Sequence, residues 1–168
     1  MNTDTKETHD VSATGVEIVS KTGAAACTVE ELISTLAPDD TIASELCSVA
    51  RAVSAMVNDI FPYADIDTQT LKLAEECDEM YFSGDTMAGL VDVAIVSLQL
   101  IYDYKSMLGL CTLRGALQES VIRTEEDWKE FLDACHSKIA MNYARHALGF
   151  WKEISETRVT TYERNRAL

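Results

Sequence analysis

The sequence predicts an all-α fold. It reads as a four-helix-bundle-like core of antiparallel helices, with short extra helices and a flexible N-terminal tail. Three observations carry this. Apolar residues recur at helical spacing through long stretches, and no segment alternates convincingly with period two. The chain has only two prolines and seven glycines in 168 residues, too few breakers for a turn-rich β fold. Capping residues stand in front of several of the periodic stretches.

Residues 1–27 are rich in Thr, Ser, Gly, Asp and Ala and have no period, so they read as a tail, with a short extended piece at Val16–Val19. Residues 28–168 read as a single all-α domain. Thr28 with Glu31 forms a capping-box signature, in which the hydroxyl accepts from the third helical N–H. That short helix runs to Leu36 and stops before Pro38. Asp39 or Asp40 caps a longer helix whose apolar positions are Ile42, Leu46, Val49, Ala50, Val53, Met56, Val57 and Ile60. Asp67 or Thr68 caps a helix over 69–82. The next helix runs from about Thr86 to Leu108, with Gly109 as its C-terminal stop. A short piece covers Leu113 to Ser120. Thr124 starts the last long helix, which carries Trp128, Phe131, Leu132, Cys135, Ile139 and Tyr143 on its apolar side. The end, Thr157 to Leu168, is read as loose.

Composition narrows the function classes. The net charge is −14. Binding to nucleic acid rests on cationic side chains neutralising phosphates, so a nucleic-acid coat is excluded. The longest apolar run, Leu90 to Ile101, is too short for a bilayer and contains Asp92, Ser97 and Gln99. No signal peptide is visible. The five cysteines are widely spaced with no CxxC, and three lie on apolar faces, which reads as reduced core thiols in a cytoplasmic protein.

The chemistry concentrates in residues 71–102. Glu75, Glu76, Asp78 and Glu79 place four acids in five positions. On a helical wheel Leu73, Ala74, Cys77, Met80 and Tyr81 form an apolar arc, with Glu76 at its edge and Glu79 on the same side one turn on. Acids at i and i+3 reach the same site, and their repulsion disfavours the helix unless a cation neutralises it. After a Ser83-Gly84-Asp85 break comes LVDVAIVSLQLI, apolar all round, with Asp92 inside it. A carboxylate there demands a partner: a hydrogen bond from a neighbouring helix or a metal ion. In an antiparallel hairpin Asp92 is expected to face Glu76 and Glu79. Oxygen ligands on facing helices suit Mg²⁺, with phosphate oxygens and waters completing its shell.

These residues resemble the all-α nucleoside triphosphate pyrophosphohydrolases of the MazG-like superfamily, whose signature is EExxE, a spacer, then ExxD. Glu75-Glu76-Cys77-Asp78-Glu79 is similar to the first half, and Asp92 with the following Val-Ala-Ile-Val to the second. Gly89 stands where the family has the first Glu of ExxD, so that ligand is missing or supplied by Asp85, Glu75 or water. The resemblance implies a Mg²⁺-dependent hydrolase (Mn²⁺ being a substitute) that cleaves a (d)NTP to a (d)NMP and pyrophosphate. It implies Glu76, Glu79 and Asp92 as metal ligands and Glu75 as the base on water. Lys138, Asn142 and Arg145, at i, i+4 and i+7 in the last helix, are similar to the family's K…N…R-like run and would hold the polyphosphate. A homodimer or homotetramer is implied as well. Two other readings stay open: a non-catalytic acidic helical binding protein, such as a DNA mimic or inhibitor, and a degenerate family member that binds nucleotide without cleaving it.

Overall fold

The computed structural model describes residues 27–84 and 86–150, and these are all-helical. The helices are α1 (Val29–Ser34), α2 (Asp40–Ile60), α3 (Ile66–Ser83), α4 (Thr86–Tyr104), α5 (Met107–Glu119) and α6 (Glu125–Ala147). The readings for Val16–Val19, Trp151 and Thr157–Leu168 lie outside the described residues.

Local chemistry explains most of the boundaries. Thr28 Oγ1 accepts from the Glu31 N–H, and Glu31 returns a carboxylate to the Thr28 N–H at 2.7 Å. Asp39 accepts from the Ile42 N–H at 2.9 Å and starts α2. The eight expected apolar positions of α2 are all buried. Thr124 caps α6, while the Asp127 carboxylate accepts from both the Arg123 and Thr124 N–H groups at 2.8 Å. Those backbone donors hold Asp127 below the usual carboxylate range.

α1 ends at Ser34, short of the expected Leu36, and three further boundaries differ from expectation. α3 begins at Ile66, because Asp65, not Asp67 or Thr68, is its cap: Asp65 accepts from the Thr68 N–H while Thr68 Oγ1 accepts from the Asp65 N–H. α4 ends at Tyr104 and not near Leu108, where Lys105 takes a left-handed backbone (φ 51°). Ser106 then caps α5, which starts at Met107 and so includes Gly109. Gly109 is not a stop. It sits where α5 crosses α4, and a Cβ there would meet the Ser97 carbonyl oxygen at 3.0 Å.

The core is organised around α4, which packs against all five other helices. Residues 93–101 of α4 are buried without a break, as a helix with neighbours on every side requires. Among the described residues α4 alone has the length and apolarity to cross a membrane, and its burial in the bundle accounts for that composition. α2 and α6 pack against each other and against α4, closing the core with Leu46, Val53, Met56, Phe131 and Ile139. α3 packs chiefly on α4. Its contact face is narrow: Leu73 and Glu76 are buried, with Cys77 and Met80 partly so. Tyr81 and Ala74, expected on the apolar arc, are exposed, as is Phe82. Tyr143 is also more exposed than its place on the apolar side of α6 implied, and its hydroxyl donates to Asp59 at 2.8 Å.

Candidate functional site

The hairpin is built as the break at Ser83-Gly84 requires. Gly84 closes α3 in the left-handed conformation (φ 70°), which glycine adopts without strain. The two helices then approach so closely that a Cβ on Gly89 would lie 2.7 Å from Met80 Cγ and 2.9 Å from Met80 Cα. Glycine at 89 is therefore a packing requirement. A glutamate at this position would have to push α3 off α4.

Among the four clustered acids, burial singles out Glu76. It is 8 % exposed, while Glu75, Asp78 and Glu79 are exposed. Glu76 Oε1 lies 2.6 Å from Lys72 Nζ, and Glu75 Oε2 lies 3.4 Å from the same ammonium. Burial alone would lower the Lys72 pKa, but hydrogen bonds and charge from Glu76 and then Glu75 raise it on balance. Lys72 was not among the residues singled out from the sequence. Its signal was available, since a lysine four positions before Glu76 faces it on a helix.

Asp92 has a partner on another helix. Its carboxylate pairs with Lys138 Nζ of α6 at 2.5 Å, and each side chain is 27 % exposed. Asp92 thus lies at the edge of the buried face of α4 and not inside it. Of the two partners the sequence left open, a neighbouring helix is the one seen here. The pair lines a cleft of about 450 Å³ between α4 and α6, whose walls are Met87, Ala88, Val91, Ala134, Ser137 and Met141. Cys135, just beneath, is buried. Desolvation first, and the Asp92 charge second, push its thiol up to about 12.

The other two members of the expected polyphosphate row separate from Lys138. Asn142 is buried, and its Nδ2 lies 3.5 Å from Met56 Sδ of α2. The Arg145 guanidinium stands 5.7 Å from the Phe150 ring centroid. The structure therefore brings together Asp92 and Lys138, a candidate metal ligand and a candidate phosphate donor. It puts Glu76 on the helix packed against α4, and leaves Glu75 and Glu79 outward. No group of three or more His, Cys, Asp or Glu side chains is disposed to hold a metal among the described residues.

A second polar cluster was not foreseen. Ser54 Oγ donates to Asp103 Oδ1 at 2.5 Å, and Gln99 Nε2 donates to Asp103 Oδ2 at 2.9 Å. The Ser97 hydroxyl and the Gln99 carboxamide oxygen, both buried in α4, have no hydrogen-bond partner among the described residues. Cluster and cleft use different residues of α4.

Compared with known proteins, the chain shows no significant match to any family model, curated sequence or solved structure.

Proposed function

We propose that the protein is a Mg²⁺-dependent nucleoside triphosphate pyrophosphohydrolase of the MazG-like kind, acting in the cytoplasm as a homodimer or homotetramer. The observation that carries this reading is the Asp92–Lys138 pair at the α4–α6 cleft, a carboxylate and an ammonium group side by side, the two side-chain chemistries that the proposed reaction would use on metal and phosphate. The acid-rich α3, packed against the same α4, adds to it.

This reading calls for a particular kind of metal site. Mg²⁺ is usually bound through one or two carboxylates, with waters and substrate phosphates filling the rest of its shell. An all-protein cage is not needed for a cation carried by the nucleotide. Glu76 and Asp92 would hold it, with Glu79 one turn beyond Glu76. The packing of Met80 on Gly89 leaves no room for a fourth carboxylate, which favours a lean, single-cation site. When bound, the cation neutralises phosphate charge and lowers the pKa of a coordinated water.

The chain's own residues would do the remaining work. Glu75 takes the proton from the attacking water, an ordinary general-base role for an exposed carboxylate near the phosphates. Lys138 holds the polyphosphate and offsets the charge that develops on the leaving pyrophosphate. Water adds to the α-phosphorus and the bridging oxygen leaves with the β-phosphate, giving a nucleoside monophosphate and pyrophosphate. Arg145, about one turn beyond Met141 on α6, would reach the polyphosphate by leaving Phe150.

The test is incubation of the protein with Mg²⁺ and each (d)NTP, followed by separation of products. Monophosphate with pyrophosphate is expected, and Glu76→Ala or Asp92→Asn should abolish it. Absence of turnover with every nucleotide, together with no Mg²⁺·nucleotide rise in melting temperature, overturns the reading. Turnover absent but stabilisation present would favour the second reading, a nucleotide-binding protein without catalysis. The glycine at 89 in place of a carboxylate supports that alternative.

A further inference from the structure

The end of α6 turns the chain back onto the helix. Past Leu148 the backbone passes through the left-handed Gly149 (φ 75°), whose N–H donates to the His146 carbonyl at 2.9 Å. The Phe150 N–H then donates to the Arg145 carbonyl at 2.9 Å. These two bonds make a Schellman cap, which closes a helix and lays the following residue against its last turn. Phe150 accordingly has its ring 5.7 Å from the Arg145 guanidinium. Arg145 stands almost two full turns beyond Lys138, within about 20° on the helical wheel, so it continues the face of α6 that lines the α4–α6 cleft. Leu148 continues Met141 in the same way and is 86 % exposed.

The geometry points to the chain's own continuation as the occupant of this cleft: residues 151–154, led by Trp151, form a strap across it. The cleft suits an apolar occupant. Met87, Ala88, Val91, Ala134 and Met141 line it, and Asp92 and Lys138 neutralise each other. Its volume of about 450 Å³ has room for a large aromatic group. The approach is set by Phe150, which leaves the described chain on the cleft side of α6. The reach is short as well. Met141 lies about 6 Å back along the axis from Arg145, a gap that about two extended residues span. The sequence places Trp151 next after Phe150, with Ile154 three positions on. An indole ring between the two methionines would gain thioether–aromatic contacts and would withdraw itself and the exposed side of Met141 from water. Any ligand of the cleft, the nucleotide of the proposed reaction included, then enters by displacing this strap. The inference goes beyond the hydrolase reading and does not depend on it.

The test uses the full chain carrying Trp128→Phe, which leaves Trp151 as the sole tryptophan. Its emission should be blue-shifted from that of the urea-unfolded chain and several-fold less quenched by acrylamide. Met141→Glu and Ser137→Arg each put a charge on the cleft wall. Either should release Trp151, shifting its emission to the red and restoring most of the quenching. Met107→Glu, an exposed position just past the opposite end of α4, should change nothing. Circular dichroism establishes that each variant is folded, and either cleft variant suffices where the other does not fold. Shielding that disappears on dilution means that a second copy supplies the cover, and it overturns the assignment. A Trp151 as open to acrylamide as in urea, or one shielded yet indifferent to both cleft substitutions, overturns it too. None of these measurements uses nucleotide, so failure here is distinct from a failure to hydrolyse (d)NTPs.

Discussion

Gly89→Ala is the sharpest test of the hairpin geometry. The new Cβ would lie 2.7 Å from Met80 Cγ and 2.9 Å from both Cα and Cβ of Met80. Carbon atoms prefer separations of about 3.5–4.0 Å, so the shortfall approaches an ångström. A rotamer change can move Met80 Cγ, but the Cα is backbone, and relieving it means moving α3 off α4. Overpacking of this kind costs roughly 1–3 kcal/mol, and a backbone clash belongs in the upper half of that range. The same substitution improves helix propensity by about 1 kcal/mol. The net is a loss of about 1–2 kcal/mol, or a melting temperature lower by roughly 3–8 °C. The assay is thermal unfolding followed at 222 nm. Gly115→Ala in α5 is the control, since a Cβ there meets nothing within 4 Å and should give the propensity gain alone. If Gly89→Ala raises the melting temperature as Gly115→Ala does, the close approach is not real and the argument against a fourth carboxylate fails with it. Gly89→Glu, which puts a carboxylate where the resemblance has its missing glutamate, should lower stability further and leave any hydrolysis of (d)NTPs no higher.

Other outcomes follow from the same structure. Asp92→Asn, Lys138→Met and the double variant form a thermodynamic cycle, and urea unfolding should give a coupling of about 0.5–1.5 kcal/mol, as expected for a pair only partly removed from water. Thr124→Ala removes the α6 cap and should cost about 1 kcal/mol in the same assay. Iodoacetamide at pH 8, read by mass spectrometry, should modify the exposed Cys111 and spare Cys135 until denaturant is added. The raised Cys135 thiol also sets a pH window: the unfolded chain loses this proton near pH 8.5–9 and the folded chain only near 12, so its contribution is complete below pH 8.5 and is lost as pH rises from about 9 to 12.

What was legible in the sequence was whatever depends on near neighbours along the chain. The apolar stripe of α2 and the caps at Thr28, Asp39 and Thr124 are local patterns, and each appears as read. The break between α4 and α5 was missed because the residue that turns the chain is Lys105, which carries no turn signal, while Gly109 carries a strong one for another reason. Glycine marks both helix ends and close crossings, and sequence does not distinguish them. The site divides the same way. That Asp92 needs a partner followed from the apolar run around it. That the partner is Lys138 depends on α4 and α6 lying side by side, a fact no spacing encodes. Asn142 and Arg145 share a stripe with Lys138 on the wheel, yet one turns to Met56 and the other to Phe150, because α6 is flanked by α2 on one side and ends soon after on the other.

The attachment of α3 has a consequence for how the molecule breathes. α4 is clamped by five neighbours, whereas α3 leans on one and buries little more than Leu73 and Glu76. Stability is then graded across the hairpin: α3 amides should exchange with solvent through a partial opening that leaves the rest of the bundle intact, and α4 amides only on global unfolding. The left-handed Gly84 is the natural pivot. The bundle's most acidic helix is thus expected to open as a leaf on a hinge, and the exchange rates of its amides would report, residue by residue, whatever comes to rest upon it.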